Sequence, residues 1–152
     1  GVEQVLGEEL LASAGVLGCH APDQQALVDV ARGVEVALGL GVLDVGQGCV
    51  VQQGLVLAVE AIEGTDAMLA RCAGLRRDGP GGVLVKVRKP QQEARADLPT
   101  IGVDTITAAH AAGLRGIAVS AGGALLVNRT QTIARADALG LFVLGVTGET
   151  AP

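Results

Sequence analysis

Hydrophobic residues recur at two spacings along the chain, and each spacing predicts one type of secondary structure. Between Leu27 and Leu38 they recur every three or four residues, which is the spacing of the buried face of a helix. Pro22 and Asp23 precede this run as a helix start, and Gly39 follows it as a stop. The spacing therefore predicts an amphipathic helix that begins near Asp23 and ends at Gly39.

Short apolar runs alternate with further helical segments in the rest of the chain. Gln53-Gly54 separates two such runs and predicts a β-hairpin. The predicted strands are 49–52, 55–61, 83–87, 117–119, 124–127 and 142–146, and the predicted helices are 104–112, 130–139 and one that buries Met68, Leu69, Cys72 and Leu75. Strands that alternate with short helices favour an α/β fold, and the hairpin requires a mixed sheet. We predict a single α/β domain over residues 23–148, with 1–22 as a linker or interdomain segment.

Composition and charge exclude several classes of function. The 152 residues include one Phe and neither Tyr nor Trp, so the chain lacks the aromatic side chains on which single-stranded nucleic acids stack. Its net charge of −5 also disfavours binding to nucleic acid. No apolar stretch reaches the roughly 20 residues of a membrane span. Three cysteines without a CxxC spacing indicate buried thiols in a reducing compartment, so we expect a cytoplasmic protein.

Basic residues are concentrated in one part of this acidic chain. Seven of the 11 lie between positions 71 and 95, namely Arg71, Arg76, Arg77, Lys86, Arg88, Lys89 and Arg95. Positive charge gathered in this way can form a site for a small anion such as a phosphate or a pyrophosphate. The alternative is a solvated loop and the outward face of a strand, where charges contribute little.

Carboxylates gather where the predicted strand 55–61 meets the helix that follows it. Glu60 and Glu63 are expected to come off the end of the strand, and Thr65 and Asp66 can occupy the cap and first turn of the helix. Such a group can hold Mg²⁺ together with the oxygens of a substrate phosphate. Helix capping by Thr65, with Asp66 complementing the helix dipole, explains the same residues without a metal.

A loop of about fourteen residues, 89–102, has no convincing periodicity, and loops of this length are often functional. Pro90 and Pro99 restrict it, which helps to preorganise a site. Asp97 stands just before Leu98 and Pro99, so we expect it in an extended or turn conformation. An ordinary solvated loop is the other interpretation.

Three of these stretches together resemble one family. They are LVLAVEAIEGTDAML (55–69), KPQQEARADLPTIG (89–102) and LGLFVLGV (139–146), and LDVGQGCVVQQG (43–54) fits the same family. Over nearly its whole length the chain is similar to the C-terminal domain of the metal-dependent, two-domain UDP-2,3-diacylglucosamine pyrophosphatases of lipid A biosynthesis in Gram-negative bacteria.

The resemblance implies a reaction and its partners. Water attacks the α-phosphorus of UDP-2,3-diacylglucosamine and gives UMP and 2,3-diacylglucosamine 1-phosphate (lipid X), with Mg²⁺ (or Mn²⁺) as the cofactor. It also implies a separate N-terminal partner domain, outside this chain, and a cytoplasmic protein that associates peripherally with the inner membrane; no nucleic acid is involved. A non-catalytic domain that binds lipid or nucleotide, inactive without its N-terminal partner, is the alternative.

The resemblance, together with the charge pattern, also predicts site residues. Asp97 is expected to be essential, in metal binding or in activation of water. The predicted catalytic residues are Asp97, Glu93 and Asp66, and the predicted metal ligands are Asp97, Glu63 and Asp66. The predicted substrate-binding residues are Thr65, Lys86, Lys89, Gln92, Arg95 and Thr100.

Overall fold

The computed structural model describes residues 10–89 and 98–147, and this part of the chain forms two β-sheets and four helices. The strands are β1 (Leu10–Leu11), β2 (Gly15–Val16), β3 (Gly48–Gln52), β4 (Leu55–Val59), β5 (Val83–Lys86), β6 (Thr100–Ile101), β7 (Gly116–Ser120), β8 (Leu125–Leu126) and β9 (Phe142–Val146). The helices are α1 (Gln24–Val42), α2 (Thr65–Cys72), α3 (Val103–Ala111) and α4 (Arg129–Leu139).

The larger sheet has six strands in the order β2-β9-β7-β5-β3-β4. Its central strands β5, β7 and β9 are parallel, whereas β2, β3 and β4 pair antiparallel with their neighbours. A smaller sheet, in the order β1-β8-β6, lies beside it. The predicted α/β class with a mixed sheet is therefore confirmed. Its strand β8 lies within the predicted strand 124–127. Strands β1 and β6 were not predicted, because two residues are too few to give an alternating pattern.

Helices cover both faces of the six-stranded sheet. On one face α1 packs against alternate strand residues such as Val83 and Val85. On the other face α2, α3, α4 and the smaller sheet pack against the intervening residues, including Leu84 and Ile117. Helix α1 approaches β5 so closely that a Cβ on Gly33 would lie 2.4 Å from a methyl carbon of Val85. The result is a three-layer α/β domain in which β5 is buried from both sides.

Helix α1 begins as predicted but ends later. The side chain of Asp23 caps it by accepting a hydrogen bond of 2.9 Å from the amide of Ala26. Gly39 does not stop the helix, which continues to Val42. Glycine costs a helix interior only about 1 kcal/mol relative to alanine, and the contacts of α1 with the sheet offset that cost.

The hairpin between β3 and β4 is confirmed at Gln53-Gly54. Both turn residues have positive φ, 51° and 84°, as a two-residue hairpin turn of this type requires. Asp29 of α1 stabilises this turn. Its fully buried side chain accepts hydrogen bonds from the backbone amides of Gln53 (2.9 Å) and Gly54 (2.8 Å). The first helix and the hairpin are thereby joined through one side chain.

Other boundaries differ from the prediction. Helix α2 ends at Cys72, so Leu75 lies outside it and is 44% exposed. Residues 10–17, inside the segment predicted as a linker, pair with β8 and β9 and belong to the two sheets. Within 89–102, Thr100 and Ile101 form β6. Cys49 and Cys72 are buried as expected, but Cys19 is exposed.

Candidate functional site

The site is built at the carboxyl end of β5. Strands β5, β7 and β9 run in parallel, so their carboxyl ends meet at one edge of the sheet, where α/β proteins bind ligands. Strand β4 runs in the same direction because two antiparallel pairings separate it from β5. This edge therefore brings together Lys86, Glu60 and Ser120, whose Oγ accepts a 2.8 Å hydrogen bond from the amide of Arg88.

Lys86 is a buried cation at this edge. It is 8% exposed, and its Nζ donates a long hydrogen bond of 3.4 Å to the carbonyl oxygen of Thr100. Burial lowers the pKa of the Lys86 ammonium, and the carboxylates of Glu60 and Asp66 oppose part of that shift. No salt bridge within 4.0 Å joins Lys86 to a carboxylate among residues 10–89 and 98–147. A buried ammonium of this kind interacts strongly with an approaching anion.

Glu60 organises the acidic side of the site. Its Oε1 accepts a hydrogen bond of 3.1 Å from the amide of Gln47, and its Oε2 accepts one of 2.9 Å from the Thr65 hydroxyl. Thr65 is therefore not a helix cap: Gly64 occupies that position and makes no side-chain cap bond. Glu60 is predicted at a strand end from the sequence but is not among the predicted site residues.

Glu63 is engaged in an ion pair. Arg71 donates to both of its carboxylate oxygens, at 3.2 Å from Nε and 2.5 Å from Nη2. These hydrogen bonds lower the pKa of the Glu63 carboxyl. A metal role for Glu63 requires this pair to open, whereas Asp66 lies exposed in the first turn of α2.

The predicted metal ligands divide into two groups. Glu63 and Asp66 lie close in sequence around the start of α2, but the described residues contain no cluster of three or more His, Cys, Asp or Glu that could hold a metal ion. Asp97, with Glu93, Gln92 and Arg95, lies outside the described residues. Asp66 fits the role of a single carboxylate ligand, which is common for Mg²⁺ beside a substrate phosphate.

The described basic residues between 71 and 89 do not converge on one point. Strand β5 separates them: Arg76 precedes it and donates to the carbonyl of Gly79 at 3.2 Å, whereas Arg88 and Lys89 follow it. Lys89 Nζ pairs with Asp44 at 2.6 Å. Arg71 does reach the carboxyl edge, because its Nη2 donates a 2.9 Å hydrogen bond to the carbonyl of Val59 at the end of β4, but it is engaged there with Glu63. Of the described basic residues, Arg71, Lys86, Arg88 and Lys89 lie near this edge, and Arg76 does not.

Exposed aliphatic side chains border this edge. Leu43 is 74% exposed, Val45 is 43% exposed and Ile62 is fully exposed. Their loops touch, since a Cβ on Gly46 would lie 2.1 Å from the carbonyl oxygen of Glu60. We call Leu43, Val45 and Ile62 the apolar rim. It lies on the β3–β4 side of Lys86.

The surroundings of Cys49 do not support a role as a nucleophile. Its Sγ donates to the carbonyl of Gly33 at 3.4 Å, and burial raises the pKa of the thiol to about 12. A thiol with such a pKa is not ionised near neutral pH and is unreactive.

Comparison with known proteins assigns this arrangement to a family. The model of the LpxI C-terminal domain matches residues 13–144. The chain belongs to the LpxI C-terminal domain family. The matched LpxI region includes the EGTD motif at 63–66 and the RADLPT motif at 95–100, two of the stretches that carry the resemblance.

A curated relative covers the chain completely. The UDP-2,3-diacylglucosamine pyrophosphatase LpxI of Caulobacter vibrioides is 51% identical over 158 residues, which include 100% of this chain and 56% of that protein. The chain thus spans little more than half the length of this LpxI relative. Within the described ranges of the chain, no helix is both long enough and apolar enough to cross a membrane.

Proposed function

We propose that the chain is the catalytic part of an enzyme that hydrolyses the pyrophosphate bond of UDP-2,3-diacylglucosamine. The observation that carries the proposal is the 51% identity, over the whole chain, to a relative named for this activity. The buried ammonium of Lys86 at the carboxyl edge of the sheet supports it, because a pyrophosphate needs a fixed positive charge.

The proposed reaction is a displacement at the α-phosphorus. The oxygen of a water molecule bonds to the α-phosphorus, and the bond from that phosphorus to the bridging oxygen breaks. The bridging oxygen leaves with the β-phosphorus, so the products are UMP and 2,3-diacylglucosamine 1-phosphate. Two negatively charged groups form from one, and stabilising that charge is the main task of the site.

Each side chain at the edge has a proposed role. Lys86 faces the phosphate oxygens, and Glu60 holds Thr65 and the Gln47 amide in place behind it. We assign to Asp97, which lies outside the described residues, the activation of the water or the binding of a metal. Asp66 and Asp97 would hold a Mg²⁺ ion, which would supply neutralisation of the phosphate charge.

The apolar rim is the proposed binding surface for the acyl chains of the substrate. Leu43, Val45 and Ile62 present aliphatic surface directly beside Glu60, and two acyl chains need such surface. We include in the proposal an N-terminal partner domain that covers the lipid, and peripheral association with the cytoplasmic face of the inner membrane.

An isotope experiment tests the reaction and its alternative together. The protein translated from the complete gene, hereafter the full-length protein, is incubated with UDP-2,3-diacylglucosamine and Mg²⁺ in H₂¹⁸O, and the products are weighed by mass spectrometry. We expect the label in UMP. Label in 2,3-diacylglucosamine 1-phosphate contradicts attack at the α-phosphorus, and binding of the substrate without hydrolysis supports the non-catalytic alternative.

A further inference from the structure

A polar groove opens beside Thr100, the residue whose carbonyl oxygen accepts the hydrogen bond from Lys86. It has a volume of about 450 Å³, within the range of roughly 300–1,000 Å³ that small-molecule sites occupy. Strands β6 and β8 are parallel, and the helix that follows each of them starts at this groove. The side chains that line it include Thr100, Asp104, Thr105, Val127, Asn128 and Gln131.

The charge of the lining residues determines which class of ligand the groove can bind. It contains the carboxylate of Asp104 and the amides of Asn128 and Gln131, but no described Lys or Arg lines it. The carboxylate of Asp104 repels a phosphate and no described cation offsets that repulsion, and these polar groups do not suit an acyl chain. Amides that donate and accept, beside a carboxylate that accepts from hydroxyls, suit a neutral base and a sugar diol.

The position of the groove gives a direction to the substrate. Thr100 is one of the residues that line the groove, and its carbonyl oxygen accepts the hydrogen bond from Lys86 Nζ. The apolar rim stands next to Glu60, and Glu60 in turn lies near Lys86: a Cβ on Gly48 would lie 3.5 Å from Glu60 Oε1 and 3.2 Å from Lys86 Cγ. Aliphatic surface, buried cation and polar groove thus follow one another across the edge of the sheet. A molecule with acyl chains, a pyrophosphate and a nucleoside has its parts in the same order.

We propose that this groove binds the nucleoside half of the substrate, with the amides of Asn128 and Gln131 on the uracil and Asp104 on the ribose hydroxyls. The inference rests on the proposed function and adds the orientation of the substrate. Thr105 supports the groove rather than contacting the ligand, because its Oγ1 accepts a 3.1 Å hydrogen bond from the amide of Gly102.

The backbone of Asn128 is consistent with this role. Asn128 is one of three non-glycine residues with positive φ in the described chain, at 48°, and it makes no side-chain cap bond to α4. Asparagine adopts this left-handed conformation more readily than most other residues. Its side-chain amide therefore lies at the groove and is not used to cap the helix.

Two variants test the proposal. Asn128→Gly removes the amide while accepting positive φ, and Gln131→Ala removes the second amide from an exposed position on α4. Gln24→Ala, at an exposed first position of α1, is the matched control. Binding of UMP, of ribose 5-phosphate and of inorganic phosphate to the full-length protein is measured by titration calorimetry, and KM and kcat are measured with UDP-2,3-diacylglucosamine.

We expect each groove variant to weaken UMP binding about tenfold and to raise KM with little change in kcat, as loss of uniform binding does. Affinity for ribose 5-phosphate and for inorganic phosphate, and all values for Gln24→Ala, stay within twofold of the parent. The proposal is overturned by UMP affinity within twofold of the parent in both variants, or by an equal loss for phosphate. A parent that binds UMP but does not hydrolyse the substrate contradicts the proposed function and leaves the UMP comparison as the test of the groove.

Discussion

Lys86 Nζ lies 3.4 Å from the carbonyl oxygen of Thr100, and this contact joins the last residue of the central strand β5 to the first residue of β6 in the smaller sheet. The hydrogen bond fixes the cation relative to the groove beside Thr100. A catalytic group held on packed strands keeps its position more accurately than one held on a loop. The smaller sheet therefore serves to position the site as well as to cover the core.

Replacing Lys86 by methionine separates activity from stability. We expect Lys86→Met to lower kcat by about a hundredfold or more, since it removes a charge aimed at the transition state. We also expect its Tm at neutral pH to equal or exceed that of the parent, because burial of the ammonium is unfavourable. Arg32→Met, at an exposed position of α1, is the control for loss of one positive charge.

The same residue predicts a pH dependence. Its pKa in the folded protein lies below the ordinary 10.5, so the ammonium is lost at a lower pH than that of an exposed lysine. Activity that depends on this charge falls as pH rises through the lowered pKa. The cost of burying the charge is fully present below that pKa and is relieved between it and the unfolded value, so stability rises with pH there. In an active Lys86→Arg variant we expect this decrease of activity at high pH to disappear, because arginine keeps its charge. If the decrease persists unchanged, Lys86 is not the group that causes it.

Asp97→Asn tests the acid that the RADLPT motif predicts to be essential. We expect kcat of the full-length protein to fall by at least about a hundredfold, the effect of losing a general base or a metal-orienting group. The change is nearly isosteric, so the Tm should stay close to that of the parent. Asp78→Asn, in an exposed loop, is the matched control. Turnover near that of the parent in a folded Asp97→Asn protein removes Asp97 from the mechanism.

Removal of divalent cations tests the metal. We expect exhaustive treatment with EDTA to abolish hydrolysis and added Mg²⁺ or Mn²⁺ to restore it, since Asp66 and Asp97 offer the oxygen ligands that these ions prefer. Asp66→Asn should raise the Mg²⁺ concentration needed for half-maximal rate, whereas Glu63→Gln, which breaks the pair with Arg71, should leave it unchanged. Full activity after EDTA treatment excludes the metal.

Asp29→Ala tests the link between α1 and the hairpin. The substitution removes the buried carboxylate that accepts hydrogen bonds from the amides of Gln53 and Gly54, so the turn loses both charged hydrogen bonds. We expect the free energy of unfolding to fall by about 2–4 kcal/mol, measured by urea denaturation. Gln25→Ala removes only the 3.1 Å hydrogen bond from the neighbouring amide to Asp29, so its effect should be much smaller. Equal stability of the two variants contradicts the role of Asp29.

Long, periodic elements could be predicted from the sequence. The spacing from Leu27 to Leu38, the start at Asp23 and the turn at Gln53-Gly54 all carry local signals, and all three are confirmed. The strands at 10–11 and 15–16 carry none, because two residues cannot show a period and their stability comes from pairing with β8 and β9. Helix α1 passes Gly39 because tertiary contacts outweigh a local propensity.

The site shows the same division between local and long-range signals. Lys86 and Asp66 could be selected from charge and motif, and Glu60 and Lys86 do lie at one edge. The sequence alone could not show that Glu60 is a better candidate site residue than Glu63. The two differ in their hydrogen-bond donors, which are Thr65 for Glu60 and Arg71 for Glu63. Contacts between side chains that are distant in sequence, such as Lys86 with Thr100, depend on how the two sheets pack.

The place of β9 has a consequence for how the protein is made. Phe142–Val146 is the last strand of the described chain, yet it lies inside the large sheet, between β2 and β7. During synthesis the ribosome releases β2 and β7 long before this strand, and both wait with unpaired edges. Such edges pair readily with other chains, and contacts between distant parts of a chain form slowly. Folding of the nascent chain therefore completes only after Val146 has left the exit tunnel, and chains truncated before Phe142 are exposed to aggregation and to proteases.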